Sequence, residues 1–401
     1  MIDFPYLEDL CIRTDSKIIM LVVDGLGGLP HPDTGKSELE TARTPNLDAL
    51  AGRSVCGLTT PVLPGITPGS GPGHMALFGY DPVKFLVGRG VLEALGIGLE
   101  LGPNTVAARG NFCTVDGEGK LTDRRAGRIK TVESAPLVEL LDTIDIPGVS
   151  VEVHPVQDYR FVLVLRGDGL GANIPDTDPQ VVGGPPRTAV AAELTSERTA
   201  RFANAFIDAA RGLLGSRDRA NMVLLRGFST EPEWPEFGRS YNLNPAAIAA
   251  YPMYRGLARL AGMKIIPTGA DFDAELKTLA DSYSDHDYFF LHYKPADGAG
   301  EDGDFDAKVA RLEELDARIP AVIDMNSDVL VVAGDHSTPA IMEAHSWHPV
   351  PLMINSRLSR GQGSDAFDER VCRLGALGAI PATNLMLLAL AHAGKLAKFG
   401  A

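Results

Sequence analysis

The segment 329–339, VLVVAGDHSTP, places the strongest restriction on the fold of this chain. Its five apolar residues predict a short buried strand of the kind found in parallel sheets that are covered on both faces. Gly334 then allows a turn, and Asp335 and His336 follow at once. In open α/β sheets, ligand-binding groups lie just beyond the carboxyl ends of the strands, and carboxylate and imidazole both bind divalent metals. The same sequence is compatible with a loop that has a capping aspartate and a surface histidine. The residues at the ends of the other predicted strands are therefore needed to distinguish the two interpretations.

Two further predicted strands end in acidic residues. Residues 17–23, KIIMLVV, are followed by Asp24, and the apolar start of 287–306 is followed by Asp297 and Glu301. These last two are four residues apart, so a helical turn would direct both carboxylates to one point. The alternative is a turn cap for Asp24 and a solvated acidic loop for 287–306, which does not match the EF-hand pattern.

Ser70 follows a loop rich in proline and glycine, residues 61–69, and precedes a short predicted helix. The N–H groups and the dipole at a helix N-terminus favour an anion such as a phosphate or an alkoxide. Ser70 could equally be a simple N-cap.

A local basic segment, residues 123–128, DRRAGR, stands out in an acidic protein. Arginine forks suit bidentate contacts with phosphate and carboxylate, although a solvated charged loop is the ordinary alternative. The arginines concerned are Arg124, Arg125 and Arg128, and Arg109, Arg160 and Arg166 are expected to add to the same region.

The formal charge of −15 argues against nucleic acid or an anionic membrane as the main partner. It leaves an anionic small substrate open, because metals and clustered arginines can reverse the local field. Four dispersed cysteines, without a CxxC pair, indicate reduced thiols and a cytoplasmic protein. The acidic N-terminus lacks the apolar segment of a signal peptide, and the apolar run 385–393 is about half of a membrane span.

Strands alternate with helices over most of the chain, which predicts an α/β fold with a doubly wound, mostly parallel sheet. The middle of the chain is richer in strands and has no ligand-like strand ends. We therefore expect a metal-binding domain formed by 1–106 and 220–401, and an inserted smaller α+β domain at 107–219. Residues 245–262 are predicted to be helical.

The polar residues at the strand ends, together with His345, suggest one combined site; a second histidine three residues on, His348, favours a ligand role for His345. Four carboxylates and two imidazoles could hold two divalent ions, next to a serine that becomes a nucleophile when a metal lowers the pKa of its hydroxyl. The residues alone thus suggest phosphoryl transfer through a phosphoserine. The proposed set is Asp24, Ser70, Asp297, Glu301, Asp335, His336 and His345.

The motifs taken together, in order and over nearly the whole chain, resemble the cofactor-independent phosphoglycerate mutases of the archaeal type, within the alkaline phosphatase superfamily. The matching segments are LVVDGLGG, LETARTPNLDALA, PGITPGSGPGHMALFGYDP, GRGVLEALGIG, RGNFCTVD, DRRAGRI, IPDTDP, AGDHSTP and AHSWHPVP. The resemblance implies an alkaline-phosphatase-like domain interrupted by a smaller substrate-binding domain. It also implies an isomerase of glycolysis and gluconeogenesis that interconverts 3-phosphoglycerate and 2-phosphoglycerate without added bisphosphoglycerate.

The resemblance also assigns roles to individual residues. Ser70 becomes the nucleophile that is phosphorylated, and Lys294 contacts the phosphoryl group. One metal is surrounded by Asp24, Ser70, Asp335 and His336, and the other by Asp297, position 301 and His345. The substrate is bound by Arg124, Arg125 and Arg128.

Position 301 departs from the family pattern, which has a histidine where this chain has Glu301. A carboxylate is a harder ligand than an imidazole, so the exchange favours Mn²⁺ or Mg²⁺ over Zn²⁺. His348 stands where many relatives have an acidic residue. Two alternatives therefore stay open: a metal-dependent phosphatase or phosphoryl or phosphonyl transferase of the same superfamily, and a non-catalytic protein that binds phosphoglycerate.

Overall fold

The structure is a computed structural model that describes residues 1–359 and 366–400. The chain forms two compact units. The larger unit comprises Met1–Leu86, Trp234–Tyr251 and Ala261–Ala401, and the smaller unit comprises Val87–Glu233 and Pro252–Leu260.

The strands, numbered in chain order, are β1 Ile18–Val23, β2 Val55–Thr60, β3 Thr105–Val115, β4 Leu121–Asp123, β5 Ser150–Pro155, β6 Arg160–Arg166, β7 Met222–Ser229, β8 Pro245–Ile248, β9 Lys264–Ile265, β10 Tyr288–Tyr293, β11 Val329–Ala333, β12 Val350–Ser356 and β13 Gly378–Pro381.

The α-helices, numbered in the same way, are α1 Leu7–Leu10, α2 Glu38–Thr41, α3 Pro45–Ala51, α4 Ser70–Leu77, α5 Arg89–Gly96, α6 Thr131–Leu141, α7 Glu197–Leu214, α8 Phe237–Ser240, α9 Pro252–Leu260, α10 Phe272–Ser282, α11 Pro295–Glu301, α12 Phe305–Asp316, α13 Ile319–Ile323, α14 Glu369–Arg373 and α15 Leu385–His392. Short 3₁₀ turns lie at Ala126–Arg128, Leu194–Ser196, Ala340–Met342 and Ala382–Asn384.

The larger unit is built on an eight-stranded sheet in the order β13-β2-β12-β11-β1-β10-β8-β9. Neighbouring strands are parallel except at β12, which is antiparallel to both of its neighbours. The three central strands β11, β1 and β10 are buried along their whole length. This agrees with their unbroken apolar sequences and confirms the predicted α/β class with a mostly parallel sheet.

The register of the central strands places three strand ends side by side. Val22 pairs with Ala333 of β11, and Val23 pairs with Tyr293 of β10. Because these strands are parallel, the residues that follow them leave the sheet at the same edge. That edge carries the candidate site.

The smaller unit contains an antiparallel sheet in which β3 pairs with β4, β6 and β7, and β5 pairs with β6. Helices α6 and α7 contribute to its own apolar core. Its limits, 87–233 with 252–260, differ from the predicted insert at 107–219. The difference arises because β7 pairs with β3, and because α5 packs against β3, β7 and α9.

The prediction of a helix over residues 245–262 is only partly correct. Pro245–Ile248 forms strand β8, and the helix α9 covers Pro252–Leu260. Within 1–359 and 366–400, no helix combines the length and the apolar character that crossing a bilayer needs.

Candidate functional site

Asp24, Asp335 and His336 converge at the carboxyl ends of β1 and β11. All three side chains are fully buried, and one ligand atom from each lies within 4.8 Å of those of the others. His336 Nε2 is 3.4 Å from Asp24 Oδ1 and 3.1 Å from Asp335 Oδ2. The structure thus brings together the strand ends that the sequence predicted to meet.

Ser70 is the first residue of α4, and its Oγ lies 3.3 Å from His336 Nε2. The residue is only 8% exposed. Helix α4 can approach the Asp335 loop because of Gly73: a Cβ there would lie 2.2 Å from the carbonyl oxygen of Asp335. The small residue is therefore what allows Ser70 to sit beside the cluster.

A second cluster is formed by Asp297, His336 and His345, again with ligand atoms within 4.8 Å of one another. His345 Nε2 lies 3.6 Å from Asp297 Oδ1 and 3.7 Å from Glu301 Oε1. Asp297 and Glu301 lie one turn apart on α11, but Asp297 is buried whereas the Glu301 side chain is 52% exposed. His345 Nδ1 lies 2.9 Å from the carbonyl oxygen of Pro68, and its ring stacks on that of His336.

His348, the remaining histidine that the sequence singled out, belongs to neither cluster of described residues. Its Nδ1 lies 3.1 Å from Ser346 Oγ. Burial lowers its pKa.

Lys294 directly precedes α11, at its N-cap position, and its ammonium contacts both clusters. Its Nζ lies 3.1 Å from Asp24 Oδ2 and donates a hydrogen bond to Asp297 Oδ2. About a third of its side chain is exposed. The lysine therefore neutralises part of the carboxylate charge while it still reaches solvent.

The electrostatics of the first cluster keep its carboxylates ionised. Burial and the charge of Asp335 each raise the pKa of Asp24, but Lys294, His292 and His336 outweigh them and the net pKa is lowered. Burial also opposes ionisation of Asp335, whose pKa is nevertheless held well below its usual range by His336 and His74. The pKa of His336 is lowered by burial but raised more by Asp335, to about 9.

Two buried histidines behind the carboxylates were missed from the sequence. His292 Nε2 lies 3.2 Å from Asp24 Oδ2, and His74 Nδ1 lies 3.1 Å from Asp335 Oδ2. His74 Nδ1 is also 2.8 Å from the carbonyl oxygen of Ser70, one helical turn earlier. The spacing of four residues between Ser70 and His74 was the available signal, because it places both on one face of α4.

The donor chemistry of the two clusters fits divalent cations. Carboxylate oxygens and imidazole nitrogens are suitable ligands for such ions. Asp335 Oδ2 is buried, and its nearest polar neighbours are two imidazole nitrogens, of His74 and His336, each 3.1 Å away. A buried carboxylate oxygen in this state has electron pairs available for a cation.

The predicted basic segment lies in the smaller unit. Arg124 is already paired, because its Nε and Nη2 donate to Asp178 at 2.8 and 2.7 Å. Arg125 and Arg128 are exposed. Arg166 and Arg160 lie at opposite ends of β6. Arg166 forms an ion pair with Glu152 of β5, so it does not join the basic segment.

A group of arginines around Arg109 was only partly expected from the sequence. Arg109 is 7% exposed, and Glu93 Oε1 is 3.8 Å from its Nη1. Burial lowers the pKa of Arg109, and the positive charges of Arg89, Arg160 and Arg226 act in the same direction against the effect of Glu93, so that the net pKa is about 10. Four guanidinium groups thus lie near one another within the smaller unit.

Comparison with known proteins places this chain in a family. A family model described as 2,3-bisphosphoglycerate-independent phosphoglycerate mutase matches residues 51–218. A Thermus thermophilus protein named "Probable 2,3-bisphosphoglycerate-independent phosphoglycerate mutase" is 49% identical over 403 residues, which cover 99% of this chain and 99% of the relative. A Thermotoga petrophila protein of the same name is 50% identical over 398 residues, with coverage of 99% and 98%.

Two solved structures share the fold of this chain. A protein from Pyrococcus horikoshii superposes with a TM-score of 0.83 at 27% identity, covering 97% of this chain and 100% of its own. The cofactor-independent phosphoglycerate mutase from Thermoplasma acidophilum superposes with a TM-score of 0.67 at 29% identity, covering 94% and 100%. With about half of all residues identical over nearly the full length, the chain belongs to the family of 2,3-bisphosphoglycerate-independent phosphoglycerate mutases.

Proposed function

We propose that this protein is an isomerase that interconverts 3-phosphoglycerate and 2-phosphoglycerate through a phosphoserine at Ser70. Two observations support the proposal. The first is membership of the family. The second is the position of Ser70 Oγ, which lies 3.3 Å from His336 Nε2 within a buried group of side chains that could bind metal ions. The relatives' shared name supplies the substrate class.

Asp24, Ser70, Asp335 and His336 would hold one divalent ion, and Asp297, Glu301 and His345 the other. Such ions, when bound, lower the pKa of a nearby hydroxyl and balance the charge of a phosphoryl group. Glu301 makes the second group richer in oxygen ligands, which favours Mn²⁺ or Mg²⁺ over Zn²⁺.

Ser70 Oγ attacks phosphorus in the first transfer, forming the Oγ–P bond and breaking the bond from phosphorus to the glycerate oxygen. That oxygen takes up the proton that the Ser70 hydroxyl gave up. In the second transfer the other glycerate hydroxyl attacks the phosphoserine, forming the new bond from glycerate oxygen to phosphorus and breaking the Oγ–P bond, and its proton returns to Ser70 Oγ. Lys294 donates hydrogen bonds to the phosphoryl oxygens, for which its partly exposed ammonium is suited. No bisphosphoglycerate enters this sequence.

The smaller unit, which includes the predicted insert 107–219, would bind the glycerate part of the substrate. Arg125 and Arg128 are exposed, Arg124 is held in a fixed orientation by Asp178, and further arginines surround Arg109. Guanidinium groups form bidentate contacts with carboxylates. The four buried thiols support a reducing, cytoplasmic setting.

Substitution of Ser70 by alanine tests the proposal. We expect Ser70→Ala to lower mutase turnover by about 10⁴-fold or more, because the nucleophile is lost. The change in folding free energy should be about 1 kcal/mol or less, since the hydroxyl makes a single long contact. The assay follows conversion of 3-phosphoglycerate with Mn²⁺ and no bisphosphoglycerate, together with mass spectrometry of the phosphoserine peptide.

Ser337→Ala is the matched control. Its buried hydroxyl lies in the same loop as His336 but donates to the carbonyl oxygen of His348, so most of the activity should remain. Mutase activity that survives in Ser70→Ala would refute the phosphoserine route. Release of inorganic phosphate faster than formation of 2-phosphoglycerate would indicate a phosphatase instead, and binding without any turnover would indicate a non-catalytic protein.

A further inference from the structure

The side chain of Thr338 contacts His336, which both clusters share, and Asp297, which belongs to the second cluster alone. Its Oγ1 is 2.9 Å from His336 Nδ1 and donates a hydrogen bond of 2.7 Å to Asp297 Oδ1. Thr338 is fully buried, so no exposed water competes for this hydroxyl. One hydroxyl therefore connects the shared imidazole, which lies beside Asp24 and Asp335, to the carboxylate of the second cluster.

The direction of the two hydrogen bonds follows from their chemistry. A hydroxyl has one proton to donate, and an ionised carboxylate can only accept. The proton of Thr338 therefore goes to Asp297, and the same oxygen must accept from His336 Nδ1–H. Because Nδ1–H is committed to Thr338, Nε2 is the nitrogen that remains for a metal ion, which would replace the proton on Nε2. It is Nε2 that lies 3.3 Å from Ser70 Oγ.

The backbone around Thr338 holds the hydroxyl in place. Its carbonyl oxygen accepts from Lys308 Nζ at 2.8 Å, and its N–H donates to the carbonyl oxygen of Gly27 at 3.0 Å. Glycines give the threonine its space: a Cβ at Gly25 would lie 2.8 Å from Thr338 Oγ1, and one at Gly300 would lie 2.3 Å from Thr338 O. The hydroxyl has little freedom to adopt another orientation.

We propose that Thr338 is a positioning residue that couples the two metal sites, by orienting His336 for one ion and Asp297 for the other. The inference rests on the two-ion site of the proposed function. Groups that orient metal ligands typically contribute 10–100-fold to metal affinity. Loss of this one hydroxyl should therefore weaken both sites together.

The test compares Thr338→Val with Thr338→Ser. Valine keeps the branched shape in a crowded position and removes the hydroxyl, whereas serine keeps the hydroxyl. The readout is calorimetric titration of metal-free protein with Mn²⁺, with the absorption spectrum of the Co²⁺-loaded protein as a second measure of ligand geometry. We expect Thr338→Val to bind about 10–100-fold more weakly at both sites, and Thr338→Ser to bind like the wild type.

Thr105→Val is the matched control, since this buried threonine of the smaller unit also donates to a carbonyl oxygen and accepts from an arginine. It should leave Mn²⁺ binding unchanged. Thr338→Val with wild-type affinities, or Thr338→Ser as weak as Thr338→Val, would overturn the inference. A wild-type protein that binds no Mn²⁺ at all would instead overturn the two-ion site of the proposed function, so the two failures are distinguishable.

Discussion

Lys308 offers a demanding test of how the candidate site is held together, because it is a fully buried lysine behind the loops that carry the proposed metal ligands. Its Nζ donates to the carbonyl oxygens of Gly27 at 2.9 Å and Thr338 at 2.8 Å. Glu38 Oε1 lies 4.0 Å away. The ammonium thus joins the loop that follows Asp24 to the loop that carries the other ligands, and we predict that Lys308→Met loosens both.

The size of the effect can be worked out from these contacts. Methionine keeps the length and the burial of the side chain but leaves two carbonyls without their donor and Glu38 without its cation. Two hydrogen bonds from a charged donor correspond to about 3–6 kcal/mol, and removal of one partner from a buried ion pair costs about 3–5 kcal/mol. Burial lowers the pKa of Lys308, which reduces the loss. We therefore expect the free energy of unfolding to fall by about 3–5 kcal/mol, and Mn²⁺ affinity to fall about tenfold.

Urea unfolding followed by tryptophan fluorescence measures the stability change where it occurs, because Trp234 and Trp347 both belong to the larger unit. Metal affinity is measured by calorimetry under conditions in which the variant is fully folded. Lys395→Met is the matched control: Lys395 is also buried and donates to the carbonyl oxygen of Thr14 and to Asp287, which precede β1 and β10 at the opposite edge of the sheet.

Both lysine variants should lose stability, but only Lys308→Met should lose Mn²⁺ affinity. If Lys308→Met bound Mn²⁺ as tightly as the wild type, or if Lys395→Met weakened binding as much, the reasoning would be refuted. Loss of affinity would then reflect lower stability in general, and not the connection between the two loops.

Two further predictions concern carboxylates at the same edge of the sheet. Glu301→His replaces the carboxylate whose Oε1 lies 3.7 Å from His345 Nε2 with an imidazole, so the preference for Zn²⁺ over Mn²⁺ should rise by about tenfold in competitive metal titrations. An unchanged preference would contradict the proposed ligand role of Glu301. Burial raises the pKa of Glu275 to about 8, so the folded state keeps a proton that the unfolded state has lost. Between pH 5 and 8, wild-type stability should therefore fall relative to Glu275→Gln by up to about 1.4 kcal/mol per pH unit in urea unfolding. Parallel pH profiles of the two proteins would show that Glu275 does not titrate in this range.

The central strands of the larger sheet and their polar ends could be predicted from the sequence. Val329–Ala333 and Ile18–Val23 are unbroken apolar runs, and the residues that follow them are buried and charged. A charge that directly follows such a run is a local signal. Whether that charged residue lies close to the charged residues of other strands depends on the strand order. The strand order is seen only in the pairing of β1 with β10 and β11.

Strand β8 could not be predicted, because its sequence favours a helix. Pro245–Ile248 contains two alanines, which have high helix propensity. The segment nevertheless pairs in parallel with β10, and its four residues are fully buried. Tertiary pairing outweighs local preference here, and Pro252 then marks the start of the true helix.

The histidines behind the site were missed for a related reason. His292 lies on β10 among apolar residues, where a single histidine gives no periodic signal. Its partner is Asp24, 268 residues away along the chain, so the contact exists only in the folded protein. The limits of the smaller unit could not be predicted from the sequence either, because they depend on the pairing of β7 with β3.

The net charge of −15 is a poor guide to the sign of the ligand at this site. The buried carboxylates of the larger unit, Asp24 and Asp335, lie next to the ammonium of Lys294 and to His336, whose pKa is raised to about 9. Each cation bound at such a site makes the local electrostatic potential more positive, regardless of the net charge on distant parts of the surface. An acidic protein can therefore present an anion-binding site, provided that its acidic residues are used as ligands and its few basic groups are concentrated where the substrate binds.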